Sequence, residues 1–149
     1  MNPTMYSTVL TRIGAQLKIE LTRIESGMPT VLIVDDDDAM RKFLHTIFKH
    51  GSGFDACVVA GNGIEAIAKI QKSLPNLAVV DFCMPEMNGL QLARELKTIA
   101  PELPIFMLTA STDTAIEKEA LDCGITAVFS KFDDLATLVA NAREVCGIE

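Results

Sequence analysis

The sequence is short of the features that would send a chain into a membrane, an oxidising compartment or the grooves of a nucleic acid. No uninterrupted apolar run approaches the roughly 20 residues that a membrane span needs, although 49% of the 149 residues are hydrophobic. The first residues hold no apolar stretch next to a small-residue cleavage site, so no secretory leader is indicated. Four cysteines (Cys57, Cys83, Cys123, Cys146) lie scattered without a Cys-x-x-Cys pair, with only His45 and His50 as companions. That pattern builds neither a zinc site nor a disulfide framework, and the thiols read as reduced apolar filler. Basic residues number 13 against 20 acidic ones, a net charge of −7 and a pI near 4.8. Such a balance disfavours binding to phosphate backbones. The expectation is a soluble, cytoplasmic protein whose partners are proteins or small cations, with no membrane and no direct nucleic-acid contact.

The length suggests one domain with an appendage. Over residues 1–28, Leu10, Ile13, Leu17, Leu21 and Ile24 recur at helical steps among Arg12, Lys18, Glu20 and Arg23, as in one amphipathic helix. Ser26-Gly27-Met28-Pro29 ends it. A helix of this length is marginal alone in water, so its stripe docks on the domain or on a second copy, giving a dimer, unless it is a fraying extension. The second segment, 29–149, is read as one domain.

From Thr30 onward, apolar runs alternate with segments of helical period. The runs are Val31–Val34, Ala56–Ala60, Leu77–Val80, Ile105–Leu108 and Ile125–Phe129, and helices begin near Ala39, Ile64, Leu90, Ala115 and Leu135. Five strands alternating with five helices predict right-handed crossovers and a parallel sheet covered on both faces. Ligands in such folds sit beyond the carboxyl ends of the strands, where the winding reverses. Polar residues follow the runs at those ends: Asp35-Asp36-Asp37-Asp38, Asp81, Thr109-Ala110-Ser111 and Ser130-Lys131.

Asp81, at the end of Val79-Val80 and ahead of Pro85 and Asn88-Gly89, is on its own either a cap or a reactive carboxylate. One of the four aspartates caps the first helix, with Asp38 expected in that role. Capping does not account for the rest. Two carboxylates about 4 Å apart repel by roughly 4 kcal/mol at an effective dielectric of 20, so gathering Asp35, Asp36 and Asp81 demands a proton or a cation. Hard oxygen ligands suit Mg²⁺, with Mn²⁺ as substitute. A lysine and a hydroxyl opposite them, Lys131 and Thr109, fit phosphoryl chemistry, in which charge spreads over the equatorial oxygens. Asp81 is then the nucleophile that forms an aspartyl phosphate.

Five ordered motifs carry these residues: Val31-Leu32-Ile33-Val34-Asp35-Asp36-Asp37, Ala60-Gly61-Asn62-Gly63-Ile64-Glu65-Ala66, Val80-Asp81-Phe82-Cys83-Met84-Pro85-Glu86-Met87-Asn88-Gly89, Met107-Leu108-Thr109-Ala110 and Phe129-Ser130-Lys131. Together they resemble the receiver domain of bacterial two-component response regulators, in particular stand-alone receivers of the chemotaxis type. The resemblance implies an α/β, flavodoxin-like, doubly wound sheet of five parallel strands ordered 2-1-3-4-5 with five helices, preceded here by the helical extension. It implies a phosphoacceptor at Asp81, supplied by a histidine kinase or a histidine phosphotransfer protein. Mg²⁺ would be held by Asp35, Asp36, Asp81 and the backbone carbonyl of Cys83. Thr109 and Lys131 would contact the phosphoryl oxygens, and small Ala110 would leave room for them. Phe129, otherwise plain core packing, would be an aromatic switch moving with Thr109. The output would be a protein target on the face of the fourth helix, fifth strand and fifth helix. The protein would be a signalling phosphoprotein, not an enzyme, with at most self-phosphorylation and autodephosphorylation.

Two positions depart from the family pattern. Phe132 follows Lys131 where proline is usual; a cis bond without proline costs about 2.5–4 kcal/mol, so a trans peptide with a rearranged loop, or strain kept for function, is expected. Asn88 stands where Asp is common, and its turn-forming role should survive. No pattern of an output domain follows Glu149. Two other readings stay open. One is a receiver-like adaptor independent of phosphorylation, encouraged by Lys131-Phe132. The other is a small haloacid-dehalogenase-type phosphatase with Asp35-x-Asp37 as its first motif, although Ala39 and the short chain fit that poorly.

Overall fold

The computed structural model describes residues 29–148 except 51, 112, 133 and 134; the helix expected over residues 1–28 lies outside the described residues. The elements are β1 Thr30–Val34, α1 Asp38–Lys49, β2 Ala56–Ala60, α2 Gly63–Lys72, β3 Leu77–Asp81, α3 Gly89–Ile99, β4 Ile105–Thr109, α4 Thr114–Asp122, β5 Ala127–Ser130 and α5 Leu135–Val145. The sheet is parallel throughout, in the order β2-β1-β3-β4-β5, the flavodoxin-like order. Among the described residues, no helix is long and apolar enough to cross a membrane.

Two hydrophobic layers follow from the pleat, because successive side chains of a strand point to opposite faces. Leu32, Val34, Ala78, Val80, Ile105 and Met107 face one layer, which α2, α3 and α4 close with Ile70, Leu92, Leu96 and Ala120. Val31, Ile33, Leu77, Val79, Phe106 and Leu108 face the other, closed by Leu44 and Phe48 of α1 and Leu138 and Ala142 of α5. Over Val31–Val34, Leu77–Val80 and Ile105–Leu108 the central strands are therefore apolar at every position, as expected of a sheet covered on both sides.

Local chemistry sets the helix ends. Asp37, not Asp38, is the N-cap of α1, its carboxylate accepting from the amides of Ala39 and Met40. Asp38 is the first helical residue and pairs instead with Arg41 and Lys42. Asn88 caps α3 in a reciprocal box with Gln91, so the turn-forming role expected of it holds. β5 starts two residues later than the apolar run suggests. The end of α4 uses Gly124, with φ +91°, to turn the chain: the Gly124 amide bonds the Leu121 carbonyl and the Ile125 amide the Ala120 carbonyl. This Schellman-type ending engages Ile125 and leaves β5 to begin beyond Thr126.

Candidate phosphoryl-transfer site

The register brings the polar strand ends together. Val34 of β1 stands opposite Val80 of β3, so Asp35 and Asp81 leave adjacent central strands side by side. β1 lies between β2 and β3, the point where the winding reverses and where crevices open in such sheets. Asp81 stands opposite Leu108, and Thr109 opposite Ser130, which carries Thr109 and then Lys131 to the same rim.

Asp35, Asp36 and Asp81 offer carboxylate oxygens that all lie within 4.8 Å of one another. Asp35 and Asp81 are buried and Asp36 is exposed. The Lys131 ammonium spans the two buried groups, 2.9 Å from Asp81 Oδ1 and 3.3 Å from Asp35 Oδ2. Asp81 Oδ1 also accepts the Cys83 amide at 3.3 Å, and Asp35 Oδ1 accepts the Asp37 amide at 2.9 Å. Among the described residues, Asp35 Oδ2 is buried with no hydrogen-bond partner and faces the Lys131 ammonium.

Two carboxylates at this separation repel by about 3–4 kcal/mol at an effective dielectric of 20. The repulsion is visible in the titration of Asp81: burial, and then the charge of Asp35, push its pKa up to about 6 against the opposing Lys131 and Cys83 contacts. Burial works against the Lys131 ammonium, but its hydrogen bond to Asp81 and the pull of both carboxylates outweigh that and raise its pKa. The pocket thus holds one cation among three acids. A buried carboxylate oxygen without a hydrogen bond, within an all-oxygen donor set, fits a small hard divalent cation.

The remaining candidates divide. Thr109 is buried at the end of β4; its hydroxyl accepts the Ser111 amide at 3.0 Å, and its carbonyl accepts the Lys131 amide at 2.9 Å. Ala110 and Cys83 are exposed. No cis peptide occurs among the described residues, so Lys131-Phe132 is trans; the Phe132 amide bonds Ser130 Oγ at 3.2 Å and its ring is 81% exposed. Phe129 is the residue that the structure does not bring to the others. Its ring sits 5.1 Å from that of Phe106, in the layer beneath α1 and α5. Thr109 shares the strand face of Met107, in the opposite layer. The β5 side chain packed in that layer with Ile116 of α4 is Val128.

Two contributors escaped the motif reading. Gly89 closes the distance between α3 and the acidic strand: a Cβ there would lie 2.5 Å from the Asp81 carbonyl oxygen and 2.9 Å from Phe82 Cα. Its place in a quoted motif gave a signal, but not the reason. Arg41, which falls off the apolar face of α1, donates to the Asp35 carbonyl at 2.8 Å; nothing in the local pattern marked it.

Comparison with known proteins agrees with this geometry. A family model described as the response regulator receiver domain matches residues 31–143. The DNA-binding response regulator MtrA of Mycolicibacterium paratuberculosis is 36% identical over 113 residues, which cover 76% of this chain and 49% of that protein. The chain spans about half the length of the MtrA proteins it matches. Among solved structures, the Francisella response regulator 1452 receiver domain superposes with a TM-score of 0.74 at 28% identity, covering 80% of this chain and 97% of that one. The Vibrio cholerae chemotaxis protein CheY4 superposes with a TM-score of 0.73, also at 28% identity, covering 79% and 98%.

Proposed function

The chain belongs to the response regulator receiver family of two-component systems, and on that footing we propose that it carries signals by accepting a phosphoryl group on Asp81. The donor is a phosphohistidine of a histidine kinase or a histidine phosphotransfer protein. An Asp81 carboxylate oxygen forms a bond to phosphorus as the phosphorus–nitrogen bond breaks, the imidazole leaves, and an acyl phosphate results. The observation that carries this reading is the Lys131 bridge between two buried carboxylates, one of them through an oxygen that has no hydrogen bond.

Each residue has a defined task. Lys131 exchanges its contact with Asp81 for one with the incoming phosphoryl oxygens, for which an ammonium is a point-charge partner. The Thr109 hydroxyl, already accepting from Ser111, keeps its own hydrogen to donate. Ala110 presents only a methyl group at the rim and leaves room there. Receiver domains bind Mg²⁺ at acidic pockets of this kind, and here Asp35, Asp36, Asp81 and the Cys83 carbonyl would hold it, with Mn²⁺ as substitute. When bound, the ion supplies positive charge against the carboxylates and the phosphoryl group. Phe129 receives no role with Thr109, because the two lie on opposite faces of the sheet.

The reading makes the chain a signalling protein, which leaves no ground for the phosphatase alternative. Its target is a protein that reads the α4, β5 and α5 face, where β5 is half-buried along its length. The DNA binding in the names of the relatives is said of proteins about twice as long, and no nucleic-acid contact is proposed for these residues. Incubation with acetyl phosphate and Mg²⁺, followed by intact-mass measurement, tests the proposal. Wild-type protein gains one phosphoryl mass and Asp81→Asn gains none; an unchanged wild-type mass, with partner binding intact in Asp81→Asn, would favour the adaptor reading instead.

A further inference from the structure

Arg41 holds the acidic loop at both ends with one rigid group. Its Nη1 donates to the Asp35 carbonyl and its Nη2 to Asp38 Oδ1, each at 2.8 Å. Asp36 and Asp37 lie between those two anchors. The Asp35 amide is bonded to the Ala60 carbonyl at 3.1 Å, so the peptide groups on both sides of the Asp35 Cα are fixed, and with them the direction of its carboxylate. Oδ1 is then taken by the Asp37 amide and Oδ2 is left facing Lys131. The guanidinium also lies against the β2–α2 turn: a Cβ at Gly61 would be 3.2 Å from Nη1 and 3.6 Å from Glu65 Oε2. Its charge is balanced by the Asp38 ion pair and by Glu65, whose carboxyl the Gly61 amide and Lys69, and to a smaller extent Arg41, hold below its usual pKa.

We propose that Arg41 is a positioning residue for the divalent-cation pocket, setting metal affinity by pinning the loop that carries Asp35 and Asp36 without touching the ion. The inference rests on the metal-binding reading of that pocket. A planar fork can satisfy two acceptors at once, which an ammonium on a flexible stem cannot do in the same geometry. Loss of an outer partner of this type weakens metal binding by about 10–100-fold.

The sign of the effect separates positioning from simple electrostatics. Removing a positive charge near a cation site tightens binding by Coulomb's law, whereas loosening the loop weakens it. Mn²⁺ affinity is measured directly by titration followed by electron paramagnetic resonance, with circular dichroism to verify the fold of each variant. Arg41→Ala and Arg41→Lys should each raise the Mn²⁺ Kd about tenfold or more. Gly61→Val, which keeps the charge but crowds the guanidinium, should raise it in the same direction; Gly61 is not in the left-handed region, so its backbone tolerates the side chain. Lys42→Ala, which removes the other partner of Asp38, should leave it unchanged. If Arg41→Ala fails to fold, Arg41→Lys and Gly61→Val carry the test. Unchanged or tighter binding in the Arg41 variants, or full affinity in Arg41→Lys, overturns the positioning role and leaves the metal site standing. Absence of Mn²⁺ binding by the wild type overturns both.

Discussion

Val80 and Asp81 are consecutive residues of β3 and almost equally withdrawn from water, at 0% and 2% exposure, yet they act on stability in opposite directions. Val80 lies among Leu32, Met107, Leu92 and their neighbours, and burying a side chain of its size favours folding by about 1.5–3 kcal/mol. Asp81 loses water without gaining enough opposite charge, and its raised pKa records the deficit. The same division runs through β1, where Val31–Val34 are core and Asp35 follows at full burial. The strand interiors hold the fold together, and the strand tips gather like charges that only opposite charge offsets.

Changes in the interior should have the largest effects. Phe106→Ala removes the ring that contacts Phe129 between α1 and α5 and should cost about 3–5 kcal/mol in urea unfolding; a loss below about 1 kcal/mol would mean that this layer is not the cohesive half of the contrast. At the tip the sign should reverse. Asp81→Asn should stabilise the metal-free protein at pH 7 by roughly 2–3 kcal/mol, the size that follows from a carboxyl raised from 3.8 to about 6.

The pH dependence follows from the same shift. Between about pH 4 and pH 6 the folded protein holds a proton on Asp81 that the unfolded chain has released, so the contribution of Asp81 to stability falls as pH rises through that window. The stability gap between wild type and Asp81→Asn should therefore open across it and close below about pH 4. A gap independent of pH would trace the stabilisation to packing and remove the electrostatic half of the comparison. Mg²⁺ should have a comparable effect on the wild type, about 2.7 kcal/mol at one hundred times its Kd, and a much smaller one on Asp81→Asn. The smallest effect belongs to an uncharged helix cap: Asn88→Ala removes the capping box of α3 and should cost about 1 kcal/mol, with no change in the pH profile because no titratable group is lost.

Much of the scaffold was legible because its signals are local and repeated. The central strands are apolar at every interior position, and four of the helices begin one residue before the position that periodicity suggests, the fifth at it. The gathering of Asp35, Asp36, Asp81 and Lys131 could be anticipated because parallel strands deliver their ends to one rim. What was illegible depends on choices that the sequence leaves degenerate. Four consecutive aspartates can all cap a helix, and the choice of Asp37 over Asp38 depends on where α1 starts. In Ala127-Val128-Phe129-Ser130 every side chain is half-buried, so no polar alternation tells which one faces α4. The pairing of Phe129 with Leu108 decides it, turning the ring toward Phe106. Arg41 reads as a solvent-side residue until the β1 end and the β2–α2 turn are brought up to it.

The Gly89 contact makes the first turn of α3 a listening post for Asp81. Its amide donates to the Phe82 carbonyl at 2.8 Å, and its missing side chain lets the helix rest on the peptide of Asp81 itself. A movement of that peptide, whatever causes it, must therefore be passed to an amide outside the pocket. Native-state hydrogen exchange at Gly89 would report occupancy of Asp81 without a label in the acidic site, and would place the rate of local opening there on a measurable scale.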